Sequence, residues 1–117
     1  MQEQMNELVL EMARILDGRK AEDIVMIDIR EQTIIADYFI VCSGRSSTHI
    51  KTLADELSQE MAQRGMPRHR IEGYQAGRWI VLDFGEVLVH IFHQEEREFY
   101  DVERLWISGD NSKRYGE

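Results

Sequence analysis

Apolar residues recur at three- and four-residue spacing through the first stretch of the chain: Met5, Leu8, Val9, Met12, Ile15 and Leu16. That spacing aligns them on one stripe of a helix, predicted from about Glu3 to Asp17, with Gly18 suited to its C-terminal cap. Ile24–Ile29 is a short run of mainly branched aliphatics and predicts a strand. Tyr38–Cys42 predicts a second strand, apolar on both faces and therefore central in its sheet. Ser43-Gly44-Arg45-Ser46-Ser47 then reads as a turn with a serine cap. A second helix follows over about Ser47 to Arg64, with Ile50, Leu53, Ala54, Leu57 and Met61 as its buried stripe and Gly65 and Pro67 to end it.

The strongest local pattern lies further on. Trp79–Phe84 and Val87–Phe92 are two strands separated by Gly85-Glu86, a two-residue hairpin loop with glycine first. The loop fixes the register, pairing Phe84 with Val87, Leu82 with Val89 and Ile80 with Ile91. One face then carries only apolar residues and predicts the core side. The other carries Trp79, Val81, Asp83, Leu88, His90 and Phe92. Such a face is either covered by a helix or offered to a partner. A short strand near Ile71–Tyr74 extends the sheet, and Gln94–Trp106 predicts a final helix or pair of helical turns. The order α-β-β-α-β-β-β-α gives an α/β (α+β) fold, a mixed sheet flanked by helices. Residues 1–107 form one domain on this reading. The tail after Ile107, residues 108–117, has almost nothing to bury and is expected to be disordered.

Composition narrows the function. The 117 residues hold 22 acidic and 14 basic side chains, a net charge of −8. An indiscriminate nucleic-acid binder needs a cationic face, so the balance argues against one and favours a basic partner. Residues 1–60 carry 12 acids and 6 bases, so most of the excess lies there. One cysteine excludes an internal disulfide and fits a reducing compartment. No apolar run is long enough to span a membrane, and no signal-peptide or transit-peptide pattern leads the chain.

Candidate chemistry is sparse. His90 and His93 lie three apart on a strand, which points them to opposite faces, so they do not converge on a metal. A hydrogen bond from His90 to its diagonal neighbour Asp83 is expected instead. Cys42 ends an apolar strand and reads as a small buried hydrophobe. The Ser43-Gly44 turn before a helix could cradle a phosphate, as in nucleotidyltransferases. Those enzymes also need two carboxylates on a following strand, and here Asp83 stands alone while Glu86 is in a turn. The basic group Arg64, Arg68, His69 and Arg70 reads as a solvated helix end. No cofactor is called for. The aromatics Trp79, Phe92, Tyr100 and Trp106 gather in the last third; Trp79 and Tyr100 serve either as core packing or as interface anchors, while Phe92 and Trp106 read as packing residues.

Three segments carry a resemblance: Ala36-Asp37-Tyr38-Phe39-Ile40-Val41-Cys42-Ser43-Gly44, the hairpin Trp79 to Phe92, and Arg97-Glu98-Phe99-Tyr100-Asp101-Val102-Glu103-Arg104-Leu105-Trp106. Together they resemble the ribosomal silencing factor (Iojap) family, over about Leu8 to Trp106. The resemblance implies a nucleotidyltransferase-like fold without the catalytic carboxylates, and a non-enzymatic translational repressor. It implies binding to ribosomal protein fourteen of the large ribosomal subunit, at the face where the small subunit docks, so that subunit joining is blocked when nutrients are scarce. Trp79 and Tyr100 match the family's partner contacts, with Val81, Leu88, His90, Arg97 and Glu98 around them. Some relatives form homodimers through an overlapping surface. The implied setting is the bacterial cytoplasm, with the tail extending past the usual family end.

Overall fold

The computed structural model describes residues 6–117. Helix α1 (Glu7–Gly18) is capped by the Asn6 side chain, which accepts from the Leu8 amide at 2.6 Å. The predicted start at Glu3 and the apolar Met5 lie outside the described residues. Strand β1 (Glu22–Asp28) follows, then β2 (Tyr38–Gly44), helix α2 (Ser47–Gln63) and β3 (Arg70–Glu72). The hairpin strands are β4 (Trp79–Asp83) and β5 (Val87–His93), followed by α3 (Gln94–Tyr100), α4 (Val102–Trp106) and β6 (Ser112–Arg114). All six strands form one sheet in the order β3-β4-β5-β2-β1-β6. Only β2 and β5 run parallel; every other neighbouring pair is antiparallel.

The apolar β2 is central, flanked by β1 and β5, and every one of its seven residues is buried. Its alternate side chains divide between two cores. Tyr38, Ile40 and Cys42 pack with Ile80, Leu82, Val89 and Ile91 beneath the buried stripes of α1 and α2. Phe39 and Val41 face the other way, with Val25, Ile27, Phe92 and Val102. The hairpin register is the expected one: Ile80 opposes Ile91, Leu82 opposes Val89, and the Phe84 amide donates to the Val87 carbonyl at 2.9 Å. Gly85 takes φ +88°, the left-handed backbone that makes glycine the natural first residue of this loop.

The last helical segment breaks at Asp101, which adopts φ +49° and ψ +53°, so of the two forms expected for Gln94–Trp106 the chain takes the pair, α3 and α4. One expectation is corrected: the residues after Ile107 are ordered, not disordered. Ser112–Arg114 pair with Val25–Ile27 as an edge strand. Main-chain bonding to a free sheet edge asks little of the side chains, so a polar tail can supply it. Asn111 secures the entry, its Nδ2 donating to the Asp28 and Trp106 carbonyls at 3.0 and 2.9 Å. Arg114 forms an ion pair with Asp23.

Candidate functional site

The face of the hairpin turned away from α1 and α2 is only partly covered. Phe92 is fully buried, whereas Trp79, Val81 and Leu88 are half-buried. Trp79 stacks on Phe92 with ring centroids 4.9 Å apart, and α3 brings Tyr100 to 4.8 Å from the same indole. Tyr100 is 49% exposed. Trp106 closes the other flank, edge-on to Phe39 at 5.1 Å. The result is an aromatic ledge built from both ends of the hairpin and from α3. It extends onto Phe99, edge-on to Tyr100 at 5.0 Å, and α4 adds an exposed Leu105; the two are 80% and 73% exposed. Sequence reasoning missed these two as surface groups. They sit at helical spacing beside Val102 and Trp106, and the break at Asp101, which turns them outward, has no clear sequence signal.

Two of the expected contact residues are inside instead. His90 is 7% exposed, lying edge-on to Phe39 at 4.7 Å and parallel to Phe92. Its expected hydrogen bond to Asp83 is not made. The Trp79 indole N–H donates to His90 Nδ1 at 3.1 Å, while the Asp83 carboxylate accepts from the Gly85 amide at 2.8 Å. His90 opposes Val81, so Trp79 and Asp83 are its two diagonal neighbours. The turn claims Asp83, which leaves the indole. Burial lowers the His90 pKa to about 4, so the ring is neutral at ordinary pH. With Nδ1 accepting, the ring proton sits on Nε2, which has no hydrogen-bond partner among the described residues.

Arg97 is the second correction, at 4% exposure. Its guanidinium grips Glu103 with two bonds, of 3.0 and 2.9 Å, and donates to Ser43 Oγ at 2.8 Å. The Ser43 hydroxyl in turn donates to Gln94 Oε1 at 3.2 Å. Arg97 therefore ties α3 to α4 and to the end of β2, with its guanidinium held inside the chain. Glu98 is exposed, accepting from Gln94 Nε2 at 3.1 Å.

The turn before α2 is consumed by its own structure. Ser43 serves Arg97, Ser46 Oγ accepts from the His49 amide, and the Arg45 amide donates to His49 Nδ1. A Cβ on Gly44 would stand 2.8 Å from Ile50 Cγ1, so glycine is required there for close strand–helix approach. His93, Glu95 and Glu96 come within 4.8 Å of one another, but the Arg78 guanidinium already bonds both carboxylates. Of the basic group at the end of α2, Arg64 pairs with Glu11 and Arg70 with Glu72. Cys42 is fully buried and its thiol is pushed up to about 12 by desolvation. Native protein is expected to resist a disulfide-exchange reagent at mildly alkaline pH and to react fully once denatured, as thiolate release reports. Rapid reaction of the folded chain would contradict the burial.

Fold and ledge together define a small mixed-sheet domain whose most developed surface feature is an aromatic face left partly open. The chain belongs to the ribosomal silencing factor family: the family model described as "Ribosomal silencing factor during starvation" matches residues 2–116. The match includes the tail, which is thus within the family's span. A relative named ribosomal silencing factor from Halalkalibacterium halodurans is 37% identical over 102 residues, 86% of this chain and 87% of that protein. A mouse protein named mitochondrial assembly of ribosomal large subunit protein 1 is 32% identical over 79% of this chain and 42% of its own length. Among solved structures, a Chromobacterium violaceum protein superposes with a TM-score of 0.81 at 29% identity, covering 87% of each chain.

Proposed function

We propose that the chain is a non-enzymatic translational repressor that binds the large ribosomal subunit and keeps the small subunit from joining it. The observation that carries this reading is the aromatic ledge on an incompletely covered sheet face, in a member of the ribosomal silencing factor family. Trp79 is the central anchor and Tyr100 a second anchor with a polar tip, the residue types that dominate interface energetics. Val81, Leu88 and Glu98 surround them. His90 acts from beneath by holding the indole, and Arg97 by fixing α3. The partner is ribosomal protein fourteen of the large subunit, a basic protein, which suits a chain of net charge −8. The scaffold is nucleotidyltransferase-like without the metal-holding carboxylate pair, since Asp83 is spent on capping the hairpin turn. The setting is the bacterial cytoplasm, and a homodimer formed through the same ledge would compete with the ribosome.

The test is co-sedimentation with isolated large and small subunits, followed by a subunit-joining assay. Selective large-subunit binding that lowers joining is expected. Trp79→Ala and Tyr100→Ala are each expected to weaken binding by roughly 2 kcal/mol or more. A double variant that retains full binding would remove this surface from the reading.

A further inference from the structure

The loop between β1 and β2 presents two isoleucines left open by the described residues. Ile34 is fully exposed and Ile35 is 61% exposed. The loop that holds them is firmly built. Its ends, Ile29 and Ala36, are buried in the same cluster as Phe39, on the ledge side of the sheet. The Ile29 amide donates to the Asp37 carbonyl at 3.0 Å and closes the loop at its base. The Gln32 and Thr33 amides both donate to the Ile29 carbonyl, and Thr33 Oγ1 accepts from the Ile35 amide. Arg30 grips the Asp28 carboxylate with two bonds, of 3.0 and 2.7 Å, and lies over the Tyr38 ring. A braced loop that holds two large apolar side chains in water forgoes the stabilisation that burying them would bring.

The surroundings of the tip select its occupant. Glu31, Asp37 and Glu86 are all exposed, and the hairpin turn is joined to the loop because the Glu86 carbonyl accepts the Asp37 and Tyr38 amides at 2.8 and 3.0 Å. The remaining acid, Asp28, is matched by Arg30. The rim is therefore anionic. It repels a phosphate backbone and attracts a protein surface of positive charge.

We propose that Ile34 and Ile35 form a second docking element, which inserts into an apolar pocket on a basic protein whose cationic rim faces Glu31, Asp37 and Glu86. The proposal rests on the large-subunit reading above for the location of that protein. Leu88 and Phe39 lie at the loop end of the sheet and Trp79 at the other end, so the two elements grip at opposite ends of one face. Two separated contacts fix the orientation of a small protein that a single ledge would leave free to pivot.

The experiment measures equilibrium binding to isolated large subunits over a range of salt, with Ile34→Ser/Ile35→Ser, Glu31→Gln/Asp37→Asn/Glu86→Gln and Trp79→Ala in parallel. Exposed positions leave the fold intact, as circular dichroism checks. The isoleucine variant is expected to bind about tenfold more weakly, and the carboxylate variant to show a shallower salt dependence. Wild-type affinity and salt dependence in both, with binding lost in Trp79→Ala, would overturn the loop proposal and leave the ledge standing. Failure of the unaltered chain to bind large subunits would overturn both. Sedimentation of the free proteins adds a last arm: an association state altered by the isoleucine variant would make the occupant a second copy of this chain and overturn the proposal.

Discussion

Arg97→Ala is expected to cost about 3–5 kcal/mol of folding free energy, the range for removing one partner of a buried ion pair. Arg97 is 4% exposed, and it makes three hydrogen bonds that join three elements. Without it the Glu103 carboxylate loses both of the guanidinium bonds it accepts. Glu103 retains some access to water, its side chain being 20% exposed, which places the expected loss toward the lower end. Ser43 still donates to Gln94, so its hydroxyl is not fully stranded. Urea denaturation read by tryptophan fluorescence measures the loss. Arg97→Met/Glu103→Leu removes both charges together, and its loss is expected to be smaller than that of Arg97→Ala alone. An Arg97→Ala protein of unchanged stability that binds its partner poorly would return Arg97 to the surface role suggested by family resemblance.

The hairpin was legible because its information is local. A two-residue loop with glycine first sets the register, and alternation then assigns every side chain to a face. The central place of β2 was legible for a similar reason, since a strand apolar on both faces must be covered on both. Charged side chains gave no such guidance. Arg97 stands among Glu95, Glu96, Glu98 and Glu103, a sequence that reads as a solvated helix face. Only the packing of α3 against β2 shows that one of these charges points inward. The choice His90 makes between its diagonal neighbours was equally hidden, because it depends on what the turn does with Asp83. The tail was misread through its side chains, when its main chain does the bonding. Trp79 and Tyr100 could be named in advance as either packing or anchors. In the structure Trp79 stacks on the buried Phe92 and Tyr100 packs on Trp79, and both remain partly open.

Acidification is expected to cost the fold up to about 3 kcal/mol through His90 alone. In the unfolded chain the imidazole takes up its proton near its ordinary pKa of 6.5, whereas burial holds the folded pKa down to about 4. Between these values the unfolded state binds more protons, so stability rises with pH there. The contribution is complete above 6.5, falls as the pH drops toward 4, and levels off below that, where the folded ring also protonates. The rings packed on His90 belong to Phe39, Trp79 and Phe92, which carry no charge to offset the imidazolium. Carboxylates titrate in the lower part of this window, so the wild-type curve alone does not isolate His90. His90→Phe keeps the ring volume and removes the titration. The difference in unfolding free energy between wild type and variant is therefore expected to change by about 3 kcal/mol across the window. Parallel curves would exclude a buried neutral imidazole. Protonation of the folded ring, at and below a pH of about 4, places a hydrogen on Nδ1, where the Trp79 indole donates, so the ledge loses its anchor's support at the acid end of the window. The indole N–H resonance of Trp79 is expected to move with that titration in wild type and to be insensitive to pH in His90→Phe, tying the stability of the core to the shape of the docking face.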